Sequence, residues 1–287
     1  MPRLLLSVVT FVLALVLGDG AAAPLVAQAR AALGGDRALA KVQGLSATGT
    51  VQRLIGDRTV DGQLTFDLQL PDKILRTETI SPMGNDMAVV TGQGINGDTL
   101  LRVQRIVNAP PGAVIRTPPP PAPGSDAEQQ ALRNARAEFV RMTIALFVAA
   151  PPSFPVEFTS AGQAESPDGK ADVLDVKGAN GFAARLFLDA ASHRPLMLTY
   201  RGVSPRMVVQ TQRGGGAPPA SDPHAAPALP PGDIVDITIF LDDYRAVDGV
   251  QIPHHITRSV EGKPTEELTF KTVKVNPAFK PDTFSGQ

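Results

Sequence analysis

Cysteine is missing from all 287 residues, which excludes disulfides, thiol catalysis, cysteine–metal sites and a lipid-modified cysteine at a mature N-terminus. Tryptophan is missing too, and two tyrosines are too few for the stacking platforms that hold single-stranded nucleic acid. Neither sign of charge dominates. The 27 Lys and Arg stand against 28 Asp and Glu, a formal charge of -1, so no nucleic acid or anionic surface is implied as an electrostatic partner. Histidine is sparse: His193, His224, His254 and His255. The adjacent pair, on a strand, points to opposite faces, and zinc or iron needs several ligands converging. No metal and no cofactor is therefore expected.

Other catalytic signatures are equally thin. No G-x-S-x-G elbow is present, and nothing favours a Ser-His-Asp triad. Gly92-Gln93-Gly94-Ile95-Asn96-Gly97 spells G-x-G-x-x-G, but a dinucleotide site needs a helix to begin there. The next residues, Asp98 to Val103, read as a strand, so Asn96-Gly97 is a hairpin turn. The paired carboxylates Asp242-Asp243 and Glu266-Glu267 are read as solubilising charges at sheet edges. No enzyme activity is expected.

What is present begins with a leader. Arg3, the apolar Leu4 to Gly18 and the small Ala21-Ala22-Ala23 match a signal peptide over residues 1–23, with a later cleavage point at Ala27-Gln28-Ala29. Its apolar run is shorter than the roughly 20 residues of a membrane span. Arg3 and Asp19 leave together, so the mature charge is unchanged. In a bacterium the product is periplasmic. Residues 24–287 read as one domain, with Pro/Gly-rich inserts at 109–124 and 213–233.

After a first helical stretch, Leu25 to Leu39, broken at Gly34-Gly35, the chain turns to alternation. In Gly62 to Leu70 the apolar residues Leu64, Phe66, Leu68 and Leu70 fall at every second position, the mark of a sheet with one wet face. Asp168-Gly169, Asn180-Gly181, Asp248-Gly249 and Glu261-Gly262 mark turns. Strands are read at Ala171 to Val176, Phe182 to Leu188, Leu196 to Arg201, Arg206 to Gln212, Ile234 to Tyr244, Val250 to Ser259 and Glu266 to Val275. About ten antiparallel strands result, and crossover helices for a parallel sheet are missing. The class is α+β, with a strongly curved antiparallel sheet.

One long helix stands out, Ser125 to Ala150. Ser125-Asp126-Ala127-Glu128 is a capping box, and Pro151-Pro152 stops the helix. Its second half, Phe139 to Val148, is apolar on nearly every side and must be buried on every side. The helix and the apolar sheet rows have only each other to face. They form either a dry core or an apolar cavity for a lipid or acyl chain.

Asp243 to Pro253, Glu267 to Val275 and the closing Val275-Asn276-Pro277-Ala278-Phe279-Lys280-Pro281-Asp282-Thr283-Phe284 resemble the end of proteins in the bacterial outer-membrane lipoprotein carrier (LolA/LolB-like) superfamily. Ala31 to Gly35 followed by Val42 to Gly49, and Leu70-Pro71-Asp72-Lys73 leading to Arg76, are similar to its start. The resemblance covers both ends of the mature chain and not the inserts. It implies an unclosed β-barrel with the N-terminal and central helices in its concave face, carrying a lipid or lipoprotein acyl chains in an apolar cavity. It also implies transient membrane contact and a monomer. Phe139, Met142, Ile144 and Phe147 are the expected helix lining, facing Leu64, Phe66 and Leu68. The family's functional arginine matches no motif position; Arg53 and Arg76 are the candidates by position. A second reading keeps the fold but makes it a regulatory or scaffolding module that binds an envelope protein.

Overall fold

The computed structural model describes residues 12–16, 22–55, 58–81, 87–108, 121–167, 169–203 and 233–286. In chain order these form β1 (Val12–Val16), α1 (Ala22–Ala32), α2 (Asp36–Leu39), β2 (Gly44–Ile55), β3 (Arg58–Gln69), β4 (Lys73–Ile80), β5 (Ala88–Asn96) and β6 (Thr99–Val107). Then come α3 (Asp126–Phe147), β7 (Val156–Ser166), β8 (Gly169–Gly178), β9 (Ala183–Asp189), β10 (Pro195–Val203), β11 (Ile234–Val247), β12 (Val250–Val260) and β13 (Lys263–Val275).

All thirteen strands belong to one antiparallel sheet, ordered β1-β7-β8-β9-β10-β11-β12-β13-β2-β3-β4-β5-β6. The sheet is two hairpin meanders joined where β13 pairs with β2. Apart from β1, its two outer strands are β6 and β7, and α3 is the connection between them. The break in alternation after β6 thus marks where the chain leaves one margin of the sheet and crosses to the other. β1 pairs with the outer side of β7, within the stretch read as a leader.

The sheet is strongly curved, and α3 shows why it must be. Arg136 bonds Asp98 at the β5–β6 turn, while Arg141 stacks on Tyr200 of β10, 3.8 Å from guanidinium carbon to ring centre. Those two helix positions are only about 7.5 Å apart along the axis. On a flat sheet β10 and β5 would be separated by about 34 Å. Only a sheet curled around the helix brings both within reach. Small residues permit the close approaches: at Gly49, opposite the register slip between Phe270 and Thr272, a Cβ would lie 1.9 Å from the Thr269 carbonyl oxygen.

Local chemistry sets the helix ends. Ser125 Oγ accepts from the Glu128 amide at 3.2 Å, one half of the expected box. The other half differs: the Glu128 carboxylate takes the Gly124 N–H at 2.6 Å, one residue earlier than a capping box would. At the far end Val148 turns left-handed, with φ 49° and its N–H on the Ile144 carbonyl, so α3 closes before the two prolines. The N-terminal stretch is two helices, broken by Gly34 and Gly35 at positive φ.

Several turns fall as expected. Asp248-Gly249 and Glu261-Gly262 have positive φ at both positions and join paired strands directly, as tight hairpins require. Asn180 and Gly181, also at positive φ, turn β8 into β9. One turn is displaced: Asn96 pairs with Thr99, so the turn residues are Gly97 and Asp98, with no helix beginning there. The strand expected at Arg206 to Gln212, most of both inserts and Asp168 lie outside the described residues.

Candidate functional site

Alternation carries more than apolar residues to the inner face. Leu64, Phe66 and Leu68 of β3 are at most 3% exposed and lie in one core with Phe139, Met142, Ile144 and Phe147 of α3. All seven expected lining residues are therefore brought together, packed as core. Directly beside them, however, sit charges. Glu78 is paired across from Leu64, and Arg76 across from Phe66. Glu266 lies between Arg53 on one side and Arg258 on the other.

These groups form an ionic network. Arg76 donates to both oxygens of Glu266, at 2.8 and 2.7 Å, and reaches Glu78 at 2.7 Å. Arg53 bridges the same two carboxylates, at 2.7 Å to Glu78 and 3.1 Å to Glu266. From the helix side, Glu138 bonds Arg258 of β12 and accepts from Tyr200 Oη at 3.4 Å. Glu138 is thus one electrostatic tie between α3 and the sheet, as Arg136 with Asp98 is another.

Burial would raise the Glu266 carboxyl, but Arg76, Arg258 and Arg53 outweigh it and hold the group down to about 2. Glu138 behaves alike: burial raises it, and Arg258 and Arg141 lower it further, to a net depression. Tyr200 goes the other way, pushed up to about 12 by burial and then by Glu138, so it remains a hydrogen-bond donor.

One sequence reading is corrected here. Glu266 is 8% exposed on a strand paired on both sides, so it is no solubilising edge charge; its inward parity places it among arginines. Glu267, one residue on, faces His255 at 4.0 Å. Arg53 and Arg76, candidates by position alone, both pair with Glu78 and Glu266 in this network. Arg258, Glu78, Glu138 and Arg141 were missed, although the inward parity of Ile256, Ile74 and Leu268 already pointed at Arg258, Glu78 and Glu266.

A cleft of about 570 Å³ opens along α3, between the β5–β6 turn, the Pro151–Pro155 segment and the β8–β9 turn. Its apolar wall includes Phe139, Val140, Phe154 and Phe182, and Arg133, Arg136 and Arg141 stand along it. Of the seven expected lining residues, Phe139 borders this space; the other six lie deeper. His254, by contrast, is a buried core group whose Nδ1 is 2.9 Å from the Ile252 carbonyl oxygen. No group of three or more metal-ligating side chains occurs among the described residues. No helix among them is long and apolar enough to cross a membrane.

Fold and site together define an unclosed antiparallel half-barrel, with a helix laid across its opening and an inner face that mixes apolar and ionic rows. No family model matches the sequence, and no curated protein matches it. Among solved structures the chain is similar to a LolA superfamily protein from Nitrosomonas europaea, at 10% identity over 92% of this chain and 97% of that one, TM-score 0.48. It is also similar to a putative outer membrane lipoprotein-sorting protein domain from Vibrio parahaemolyticus, at 12% identity over 90% and 94%, TM-score 0.46. A DUF1329 family protein from Desulfovibrio piger aligns at 8% identity over 93% and 98%, TM-score 0.48.

Proposed function

We propose that this chain is an exported, periplasmic carrier of lipids or lipoprotein acyl chains, working without chemistry on its cargo after loss of residues 1–23. The observation that carries the reading is the cleft of about 570 Å³ beside α3, with Phe139, Val140, Phe154 and Phe182 in its wall. Pockets of about 300–1,000 Å³ with apolar walls are the usual size for small ligands, and each buried methylene contributes about 0.8 kcal/mol. Phe139 starts the lining; Met142, Ile144 and Phe147, with Leu64, Phe66 and Leu68, form the surface that a longer chain would reach once α3 shifts. Side-chain contacts tether that helix to the sheet, Glu138 with Arg258 and Arg136 with Asp98, and Arg30 of α1 donates to its last carbonyl at 3.1 Å.

Native mass spectrometry of the mature chain, purified gently from an exported preparation, checks this. The expected result is an added mass that organic extraction removes and that is phospholipid or acylated peptide. A bare polypeptide that also takes up no added lipid overturns the carrier and leaves the envelope-protein module as the reading to pursue. Ile144→Asp is a poor probe. Ile144 is fully buried, and an isolated carboxylate there would threaten the fold itself.

A further inference from the structure

Arg141 is the ion on the inner face whose charge is least answered. Four guanidinium groups, Arg53, Arg76, Arg141 and Arg258, stand against three carboxylates, Glu78, Glu138 and Glu266. The carboxylate near Arg141 is Glu138, at 3.7 Å, beyond hydrogen-bond length and already engaged by Arg258 and Tyr200. Arg141 Nε is buried with no hydrogen-bond partner, although a buried donor without a partner is costly. The side chain is 14% exposed and held in place by Tyr200 and Phe182, with ring centres 3.8 and 5.4 Å away. This fixed, undercompensated cation lines the cleft beside the apolar Phe139, Val140 and Phe154; the cleft's lining also holds Asp72 and Asp98, the latter engaged by Arg136. Arg133, along the same cleft, bonds Gln130 and no described carboxylate.

We infer that the cleft takes a single-chain amphiphile with an anionic head, a carboxylate or a phosphate, its head on Arg141 and its chain along Phe139, Val140 and Phe154. The inference rests on the carrier reading and narrows it: an acyl group with a neutral ester or amide end would leave the surplus positive charge unanswered. A guanidinium already aligned by two aromatic rings loses little freedom on meeting a carboxylate or phosphate, and it can meet either with two parallel N–H bonds.

The test is fluorescence titration of the mature chain with cis-parinaric acid and with its methyl ester, which differ in the charged head alone. The acid should bind at least about tenfold tighter than the ester, the scale of one charge-assisted hydrogen bond. In Arg141→Met the two should come within about twofold of each other, while Arg141→Lys should retain part of the preference. Equal binding of acid and ester to the unaltered chain overturns the inference and leaves the carrier reading standing. Binding of neither overturns both. That ratio decides the matter even if Arg141→Met fails to fold. Competition then separates the sources: oleate displacing the acid points to a carboxylate and lysophosphatidate to a phosphate, whereas monoolein competing as well as both overturns the anion's role.

Discussion

Replacing Glu266 by alanine is expected to cost about 3 kcal/mol of stability, read as a lowered urea midpoint of the mature chain with an unchanged slope. The reason is what the carboxylate leaves behind. Its side chain is 11% exposed and serves two cations, Arg76 by both oxygens and Arg53 by one. Without it Arg76 keeps Glu78 alone and still has Arg258 as an electrostatic opponent. Breaking a buried pair from one side generally costs about 3–5 kcal/mol, and the lower end applies because both arginines retain some solvent. Glu266→Leu combined with Arg76→Leu should recover much of the loss, since two apolar groups need no compensation. A single-variant loss under about 1 kcal/mol would mean that the network behaves like a surface ion pair.

The network also shows where sequence reading reaches and where it stops. Alternation in β3 placed Leu64, Phe66 and Leu68 inward, and all three are buried. The same rule, carried along β2 from Val51, reaches Arg53; along β13, from Leu268, it reaches Glu266. Hydropathy obscures this step, because it scores a charge as exposed whatever its parity. The pairing of β13 with β2 joins residues more than two hundred positions apart, and no local signal carries that. The cleft was hidden for a similar reason. Its walls come from turns and from the flank of α3, where no periodicity marks them. The apolar second half of α3 was legible and is the buried half; which sheet residues share its core depends on long-range pairings the sequence does not hold.

Acid should weaken the fold steeply, and over a defined window. Glu266 titrates in the folded chain at about 2 against an ordinary 4.5, so the fold favours its ionised form. The stability this supplies is fully present above the ordinary value and is lost as pH falls from about 4.5 toward about 2. The gap corresponds to about 3 kcal/mol. Glu138 is depressed as well and acts in the same direction, so protonation would also loosen α3 from β12. Asp67 opposes them: burial raises its carboxyl despite the Ser46 hydrogen bond, so the fold prefers it protonated and gains slightly on acidification. Two ionised glutamates within the network outweigh one partly buried aspartate on the other face of β3. Urea midpoints should therefore hold from pH 7 to about 5 and fall between about 4.5 and 3. Glu266→Gln should start from a lower midpoint and fall less. A profile that stays flat through pH 3 in the unaltered chain would show that the arginines do not hold the Glu266 carboxyl below its ordinary value.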